Sequence, residues 1–550
     1  MFKRLRLVLL LSSVAVAQNS SPPASKPNFD GQSWWCYVKV LAADDMEGRE
    51  TGSAGLRRAE AYIVEQLRKD GLQPAGVHGF YQPVKFISRR IDEPNSSLAL
   101  VRAGWTEPLV LGQDALFSTR VPLAPEVDAP LTFVGYGLRV PEEKYDDYAG
   151  LDLKGKVVVL ILGSPAGMPG PIADHYQSPE QMFQTLRDVG AVGVIMVLNP
   201  AAMDTPWERI AMRRTAATMS LADPKLSPAR GIQLSVMFNP ATAQKLFQGT
   251  GHSFEEIAAL AKDRKPMPHF PLNASVQART RVIEAPVESE NIVAKLPGSS
   301  PTLKDQYVVL SSHIDHLGIG APIHGHAIYN GAMDNASGCA LNLDIADELH
   351  RTHAKLDRSV LFVFVTAEEK GLLGSEYFAA YPTVPRHSMV ANINTDMFLP
   401  ILPLKVLTVY GLAESTLGDE VTRIAQANGV EAQPDPEPLR NAFIRSDQYS
   451  FVRIGVPALV MQVGFKPGSP EENTAHRWLS ERYHAPADNL EQPVDLQAAA
   501  KFEDIVEELT VKVANDAQPP NWKSDSFFRR FAKQPDPLGM PLELYEDDCP

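Results

Sequence analysis

Between residues 307 and 463 the chain holds five short apolar runs, at 307–310, 360–365, 390–393, 406–410 and 457–463. Segments with helical spacing separate them. Over 339–349 Leu341, Ile345, Ala346 and Leu349 share one face, and Asp495 precedes a run in which Leu496, Phe502, Ile505, Leu509 and Val513 turn inward. A strand without a polar face is buried on both sides, so this alternation predicts an α/β fold: a mixed, mostly parallel sheet sandwiched by helices. In such sheets ligand sites gather where the strands end.

Upstream, Leu56, Ala59, Ile63 and Leu67 form one face of a predicted helix over 55–69 that Gly71 stops. The runs 157–162 and 192–197 read as a second group of buried strands, with a helix-like stretch over 178–189 between them, while 200–275 has no single period. At 550 residues the chain is long enough for two to four domains. In 517–550, Pro519, Pro520, Pro535, Pro537, Pro541 and Pro550 forbid one continuous helix and predict a wrapped tail.

Charge and cysteine content narrow the chemistry. With 52 Lys and Arg against 66 Asp and Glu, the net charge of −14 argues against a nucleic-acid partner. Three cysteines, Cys36, Cys339 and Cys549, are too few for a thiolate metal cluster, so any metal site here uses His and carboxylates. Lys3, Arg4 and Arg6 precede an apolar stretch over 7–16, and Ala15-Val16-Ala17 suits cleavage before Gln18. The expectation is a cleaved signal peptide and a secreted or periplasmic protein with no membrane span afterwards; the apolar stretch is short against the roughly 20 residues a span needs. In that compartment a disulfide between Cys36 and Cys549 is expected, with Cys339 a free thiol packed on an apolar helix face.

Potential ligands follow several predicted strands. The first runs into His313-Ile314-Asp315-His316, the second into Glu368-Glu369, and the third into Asp396. Asp334 lies in the turn 331–338, and His484 follows Tyr483 late in the chain. Singly, each has an ordinary reading as a cap or a hydrogen-bonded loop residue. Together at one sheet edge they concentrate negative charge that calls for a cation, and nitrogen and oxygen donors without thiolate suit zinc in a hydrolytic site. No internal repeat and no glycine-rich nucleotide fingerprint occurs.

His313-x-Asp315, Asp334-Asn335-Ala336-Ser337-Gly338, Glu368-Glu369, Asp396 and Tyr483-His484, in this order over 288–516, resemble the co-catalytic di-zinc aminopeptidase family. Its relatives include bacterial leucyl aminopeptidases, glutamate carboxypeptidases and the transferrin receptor. Residues 41–76, with Glu47-Gly48-Arg49-Glu50-Thr51-Gly52-Ser53, resemble its N-terminal segment; Met333 departs from it, since relatives often carry a second Asp there. Residues 119–277, with Phe133-Val134-Gly135-Tyr136-Gly137 and Gly190-Ala191-Val192-Gly193, resemble the β-rich protease-associated domain inserted in this family. The organisation implied is a signal peptide over 1–17, an N-terminal peptidase segment over 18–118, the insertion over 119–277, a catalytic zinc peptidase domain over 278–516 and a tail over 517–550.

The resemblance implies two Zn2+ ions per chain, bridged by Asp334 and completed by His313, Glu369, Asp396 and His484. The residues alone leave the pairing open; in relatives His313 and Asp396 hold one ion, Glu369 and His484 the other. Asp315 would bond the far nitrogen of His313, Glu368 would be the proton-transferring base, and Tyr483 would donate to the developing oxyanion. His316, His324 and His326 are expected as loop residues near the site and not as ligands. The function implied is a secreted zinc-dependent aminopeptidase acting on peptides. The alternatives are a carboxypeptidase of the same fold, for which Arg440 and Arg445 are the nearest carboxylate readers, and a non-catalytic binding protein that keeps the fold. The preferred terminal residue and the oligomeric state stay open.

Overall fold

The computed structural model describes residues 29–533. The signal segment 1–17, the end of the tail and Cys549, hence the Cys36–Cys549 pairing, lie outside the described residues. Cys36 is exposed, and the buried Cys339 thiol donates to the His313 carbonyl at 3.0 Å. Among the described residues no helix is long and apolar enough to cross a membrane.

The larger of two main sheets has ten strands. At its centre Tyr307–His313 lies between Ser359–Val365 and Met389–Asn394, parallel to both, and Ala458–Val463 runs parallel to Met389–Asn394 on the far side. The strands that flank this centre directly are antiparallel to it, Val282–Leu296 on one side and Val406–Tyr410 on the other, and Tyr81–Ile91 in turn pairs antiparallel with Val282–Leu296. The apolar runs are explained by burial on both faces. Val308, Leu310, Val360, Phe362 and Phe364 enter a core with Trp34, Leu56, Ile63, Leu341, Ile345, Phe502 and Leu509, from the helices Gln32–Leu41, Ala54–Lys69, Ser337–Arg351 and Leu496–Asn515. The alternating residues Val309, Leu361, Val363 and Val365 enter a second core with Phe378, Phe451, Val452 and Phe528. Helix starts are secured locally: Ser53 accepts from the Leu56 amide at 3.1 Å, and Asp495 from Gln497 and Ala498 at 3.0 Å each.

The second main sheet has eight strands and draws on more of the chain than the expected insertion. Ser97–Arg102, Trp105–Leu109 and Ala115–Phe117 belong to it, so the expected boundary after residue 118 falls later than the start of this unit. Conversely Thr218–Leu221, inside the expected insertion, leaves this sheet and pairs antiparallel with Tyr81–Ile91 at the edge of the larger one. The reason is the long ribbon of Tyr81–Ile91 on Val282–Leu296, which runs out from the larger sheet and offers a free edge to the middle of the chain. The segment 200–275, unreadable by period, consists of short helices and strands such as Trp207–Met212, Leu234–Phe238 and Phe254–Lys262.

Glu60 is buried in the helix Ala54–Lys69, where Ser289 Oγ approaches its carboxylate at 3.4 Å. Burial, and after it the charge of Glu290, pushes its pKa up to about 7. Folding therefore favours the protonated acid: the stability tied to that proton is complete below the ordinary carboxyl pKa and is lost as pH rises through about 7. Glu60→Gln is expected to raise the thermal midpoint at about pH 8 and to change it little near about pH 4.5, as read by circular dichroism melting at the two pH values.

Candidate metal centre

The carboxyl ends of the central strands lie at one level because their registers align. His313 stands opposite Val365, and Ser311 opposite both Val363 and Asn394. The chain leaves the second strand through Thr366-Ala367 into Glu368 and Glu369, and the third through Thr395 into Asp396. Their side chains thus return over His313. Asp334 comes from the turn before the helix Ser337–Arg351, where the Asp334–Asn335 peptide is cis. Asp488 holds this turn by accepting from the amides of Met333 at 2.9 Å and Asp334 at 3.0 Å, and Asn335 donates to the Thr395 carbonyl at 2.9 Å.

The N-terminal segment braces the floor of the site. Arg49, 1% exposed, donates to the carbonyls of Leu41 at 2.6 Å, Asn330 at 2.7 Å, Ile314 at 2.8 Å and Gly331 at 2.9 Å. One guanidinium thereby joins the loop after His313 to the turn before Asp334. Lys370 ties Glu50, at 3.0 Å, to the carbonyl of Ala217, at 3.2 Å. Asp315 differs from its expected role. Its carboxylate is 4.0 Å from His313 Nδ1, which instead faces the Asp315 backbone carbonyl at 3.1 Å. The carboxylate accepts from Thr51 Oγ1 at 3.0 Å and from the amides of Glu368 at 3.0 Å and Glu369 at 3.4 Å. Asp315 positions the loop that carries the two glutamates, because its backbone already satisfies the ring nitrogen.

All five candidate ligands converge. His313 Nε2 is 3.2 Å from Asp396 Oδ1 and 3.4 Å from Asp334 Oδ1; His484 Nε2 is 3.2 Å from Asp334 Oδ2 and 3.3 Å from Glu369 Oε2. The two oxygens of Asp334 therefore face different histidines. Glu368 Oε2 stands farther from His313 Nε2, at 3.9 Å. His484, Asp396 and Glu368 have side chains 21%, 15% and 12% exposed, against 1% for His313, 5% for Asp334 and 4% for Glu369, so the site opens to solvent on the side of the first three.

Zinc bonds of about 2.0–2.2 Å to N and O in a tetrahedron put donor atoms about 3.3–3.6 Å apart, close to these separations. The electrostatics agree. Burial pushes Glu368 well above the usual carboxylate range, although His313 opposes it, and raises Asp315 and Asp488 as well. Burial also acts against ionisation of Glu369, yet His484 and His316 outweigh it and hold this carboxyl well below its usual range. Glu369 Oε1 and both His316 ring nitrogens are buried without a hydrogen-bond partner among the described residues. An edge so rich in carboxylate, with orphaned donor atoms, fits bound cations.

Tyr483 stacks on His484 with ring centroids 3.8 Å apart, and its hydroxyl accepts from Arg445 at 3.2 Å. Arg440 and Arg445 are both engaged by Asp204, at 2.6 Å and 2.5 Å. Phe398, Phe443, Tyr449 and Phe451 are buried in the cores, and Phe398 stacks on Phe502 at 4.4 Å. Two residues at the site, Asp447 and Arg120, had no place in the sequence reading, and His316 was expected there only as a loop residue and not as a ligand. His316 reaches Glu369 Oε1 at 2.8 Å. Asp447 is fully buried, and burial raises it to about 7 despite the opposing charge of His313. Arg120, from beside the second sheet, donates to the Glu369 carbonyl at 3.3 Å. Only His316 carried a signal, its position next to Asp315.

Residues 291–510 match the model of peptidase family M28. Among curated proteins the chain is 28% identical over 215 residues to a probable leucine aminopeptidase 2 of Aspergillus oryzae, covering 36% of this chain and 40% of that protein. It is 24% identical over 255 residues to carboxypeptidase Q of Pongo abelii, covering 44% of this chain and 51% of that one. The matches thus span about half or less of those relatives. Among solved structures, an aminopeptidase from Aneurinibacillus sp. strain AM-1 superposes with a TM-score of 0.55 at 19% identity, over 90% of this chain and 96% of that one, and so shares the fold.

Arg49→Met removes four donors from buried carbonyls and is expected to destabilise the fold by about 3 kcal/mol or more. Urea unfolding of both proteins measures the difference.

Proposed function

We propose that the chain is a zinc-dependent aminopeptidase with two metal ions, exported through its N-terminal signal and acting on peptides. The observation that carries this reading is the division of Asp334: one oxygen faces His313, the other His484, and each histidine has its own second carboxylate, Asp396 and Glu369. His313, Asp396 and Asp334 would hold one ion; Glu369, His484 and Asp334 the other. The chemistry such a pair supplies when bound is acidification of a water and stabilisation of charge on the scissile carbonyl oxygen.

The remaining work falls to side chains. Glu368, set back from the histidines at the open side, takes the proton of the attacking water and returns it to the leaving nitrogen. Burial holds its pKa well above the usual carboxylate range, which makes it a stronger base than an exposed glutamate. Asp315 holds the Glu368 amide and so the direction of that carboxylate. The Tyr483 hydroxyl accepts from Arg445, which leaves its own proton to be donated to the substrate oxygen. The eight-stranded unit resembles a protease-associated domain in sequence and adds Arg120 to the wall of the site.

A carboxypeptidase of this fold needs cations for the substrate carboxylate, and Arg440 and Arg445 are already paired, both with Asp204 and Arg440 also with Glu437. Peptide hydrolysis is therefore expected to stop when the amino terminus is acetylated and to continue when the carboxyl end is amidated, as followed by mass spectrometry. The opposite pattern would assign carboxypeptidase activity instead. For export, secreted material is expected to begin at Gln18 on N-terminal sequencing.

Metal analysis and kinetics together separate the adjacent glutamates. Glu368→Gln is expected to retain metal and bind substrate while kcat falls by about 10²- to 10⁴-fold or more. Glu369→Ala is expected to lose metal occupancy and to be partly rescued by added zinc. Metal loss in the first variant with full retention in the second would exchange the two roles.

A further inference from the structure

His316 lies on the deep side of the centre, opposite the solvent-facing His484, with the two ring centroids 5.9 Å apart. Its side chain is fully buried. Nδ1 is 2.8 Å from Glu369 Oε1 and 3.8 Å from Asp334 Oδ2. The other oxygen of Glu369 and the same oxygen of Asp334 face His484 Nε2, at 3.3 Å and 3.2 Å. His316 Nδ1 and His484 Nε2 thus approach one pair of carboxylates from opposite sides.

The contact at 2.8 Å is not an ordinary hydrogen bond. His316 Nδ1 and Glu369 Oε1 both lack a hydrogen-bond partner among the described residues, although they are close enough to bond if their directions suited it. Two buried polar atoms that come together without pointing at each other are arranged as ligands of a common third atom. The backbone holds the ring in place: the His316 amide donates to the Arg49 carbonyl at 3.0 Å. Gly331, at φ +61°, leaves the space the ring fills, since a Cβ there would come within 2.6 Å of His316 Cγ and Cδ2. The remaining neighbours are acidic; besides Asp334 and Glu369, the charge of Asp488 acts on the imidazole.

We propose that His316 is a metal ligand through Nδ1, a sixth protein ligand of the centre, and that it belongs to the ion held by Asp334, Glu369 and His484. The inference rests on the two-zinc reading above. It makes the two ions unequal. The ion of Asp334, Glu369, His484 and His316 would have four protein ligands, the number that closes a structural zinc site, whereas the ion of His313, Asp396 and Asp334 would have three and keep a position for water or substrate. Zinc therefore binds in two steps, tightly at the closed position first.

Zinc K-edge absorption on the full-length protein loaded with two equivalents of zinc counts imidazoles without reference to activity. His313, His484 and His316 over two ions predict an average of about 1.5 imidazoles per zinc, and loading with one equivalent predicts about two. His316→Asn is expected to lower the average at full loading to about one, and calorimetric zinc titration to show its tight phase weakened by more than about 100-fold. An average of about one imidazole in the wild-type protein, unchanged by His316→Asn, overturns the proposal while leaving the two-zinc enzyme intact. That wild-type measurement needs no variant to fold. Failure of the wild-type protein to bind zinc at all would instead overturn the metallopeptidase reading on which it rests.

Discussion

The parallel pairing of Tyr307–His313 with Ser359–Val365 and Met389–Asn394 sets the level at which three chain segments leave the sheet, and the site depends on that level. A shift of register by one residue would turn His313 to the opposite face and carry it away from Asp334. The register is secured because alternate residues enter different cores, with Val308 and Leu310 on one side and Val309 on the other. Apolar packing therefore decides where the polar groups stand, and their own interactions would not hold them there.

Gathering so many carboxylates in a buried place raises the free energy of the folded chain, and the surrounding structure offsets this in two ways. Some of the acids are used as hydrogen-bond acceptors for backbone: Asp315 for the loop of the glutamates, Asp488 for the turn of Asp334. Others face histidines and lack a hydrogen-bond partner among the described residues, as Glu369 Oε1 does. The first group orients, and the second is arranged for cations. Arg49 sits beneath both without pairing any one of these acids, since its hydrogen bonds all go to backbone carbonyls.

The second sheet is joined to the first by the ribbon of Tyr81–Ile91 and Val282–Leu296, and the strand Thr218–Leu221 returns across that junction. Lys370 contacts both Glu50 and the carbonyl of Ala217, so the middle of the chain reaches the wall of the site. Arg120 does the same beside Glu369. The middle of the chain thus contributes to the surroundings of the glutamates.

The five apolar runs and the helical periods between them were enough to read the central sheet, because burial on both faces leaves an unbroken apolar signature that local sequence carries. The candidate ligands were legible for a related reason: His313, Glu369 and Asp396 end or follow strands and Asp334 precedes a helix, while His484, after the helix Pro470–Glu481, was legible through the family motif alone. Other features depended on contacts between distant segments. The membership of 97–117 in the second sheet, and the departure of 218–221 from it, follow from which edges lie free once the sheets have formed. Whether Asp315 uses its carboxylate or its carbonyl on His313, and whether His316 turns into the centre or away from it, are set by Thr51, Arg49 and Gly331, which sequence distance separates from the histidines and folding brings beside them. Short-range pattern fixes which face a residue belongs to; the partner that a polar atom meets on that face is chosen only when remote backbone closes around it.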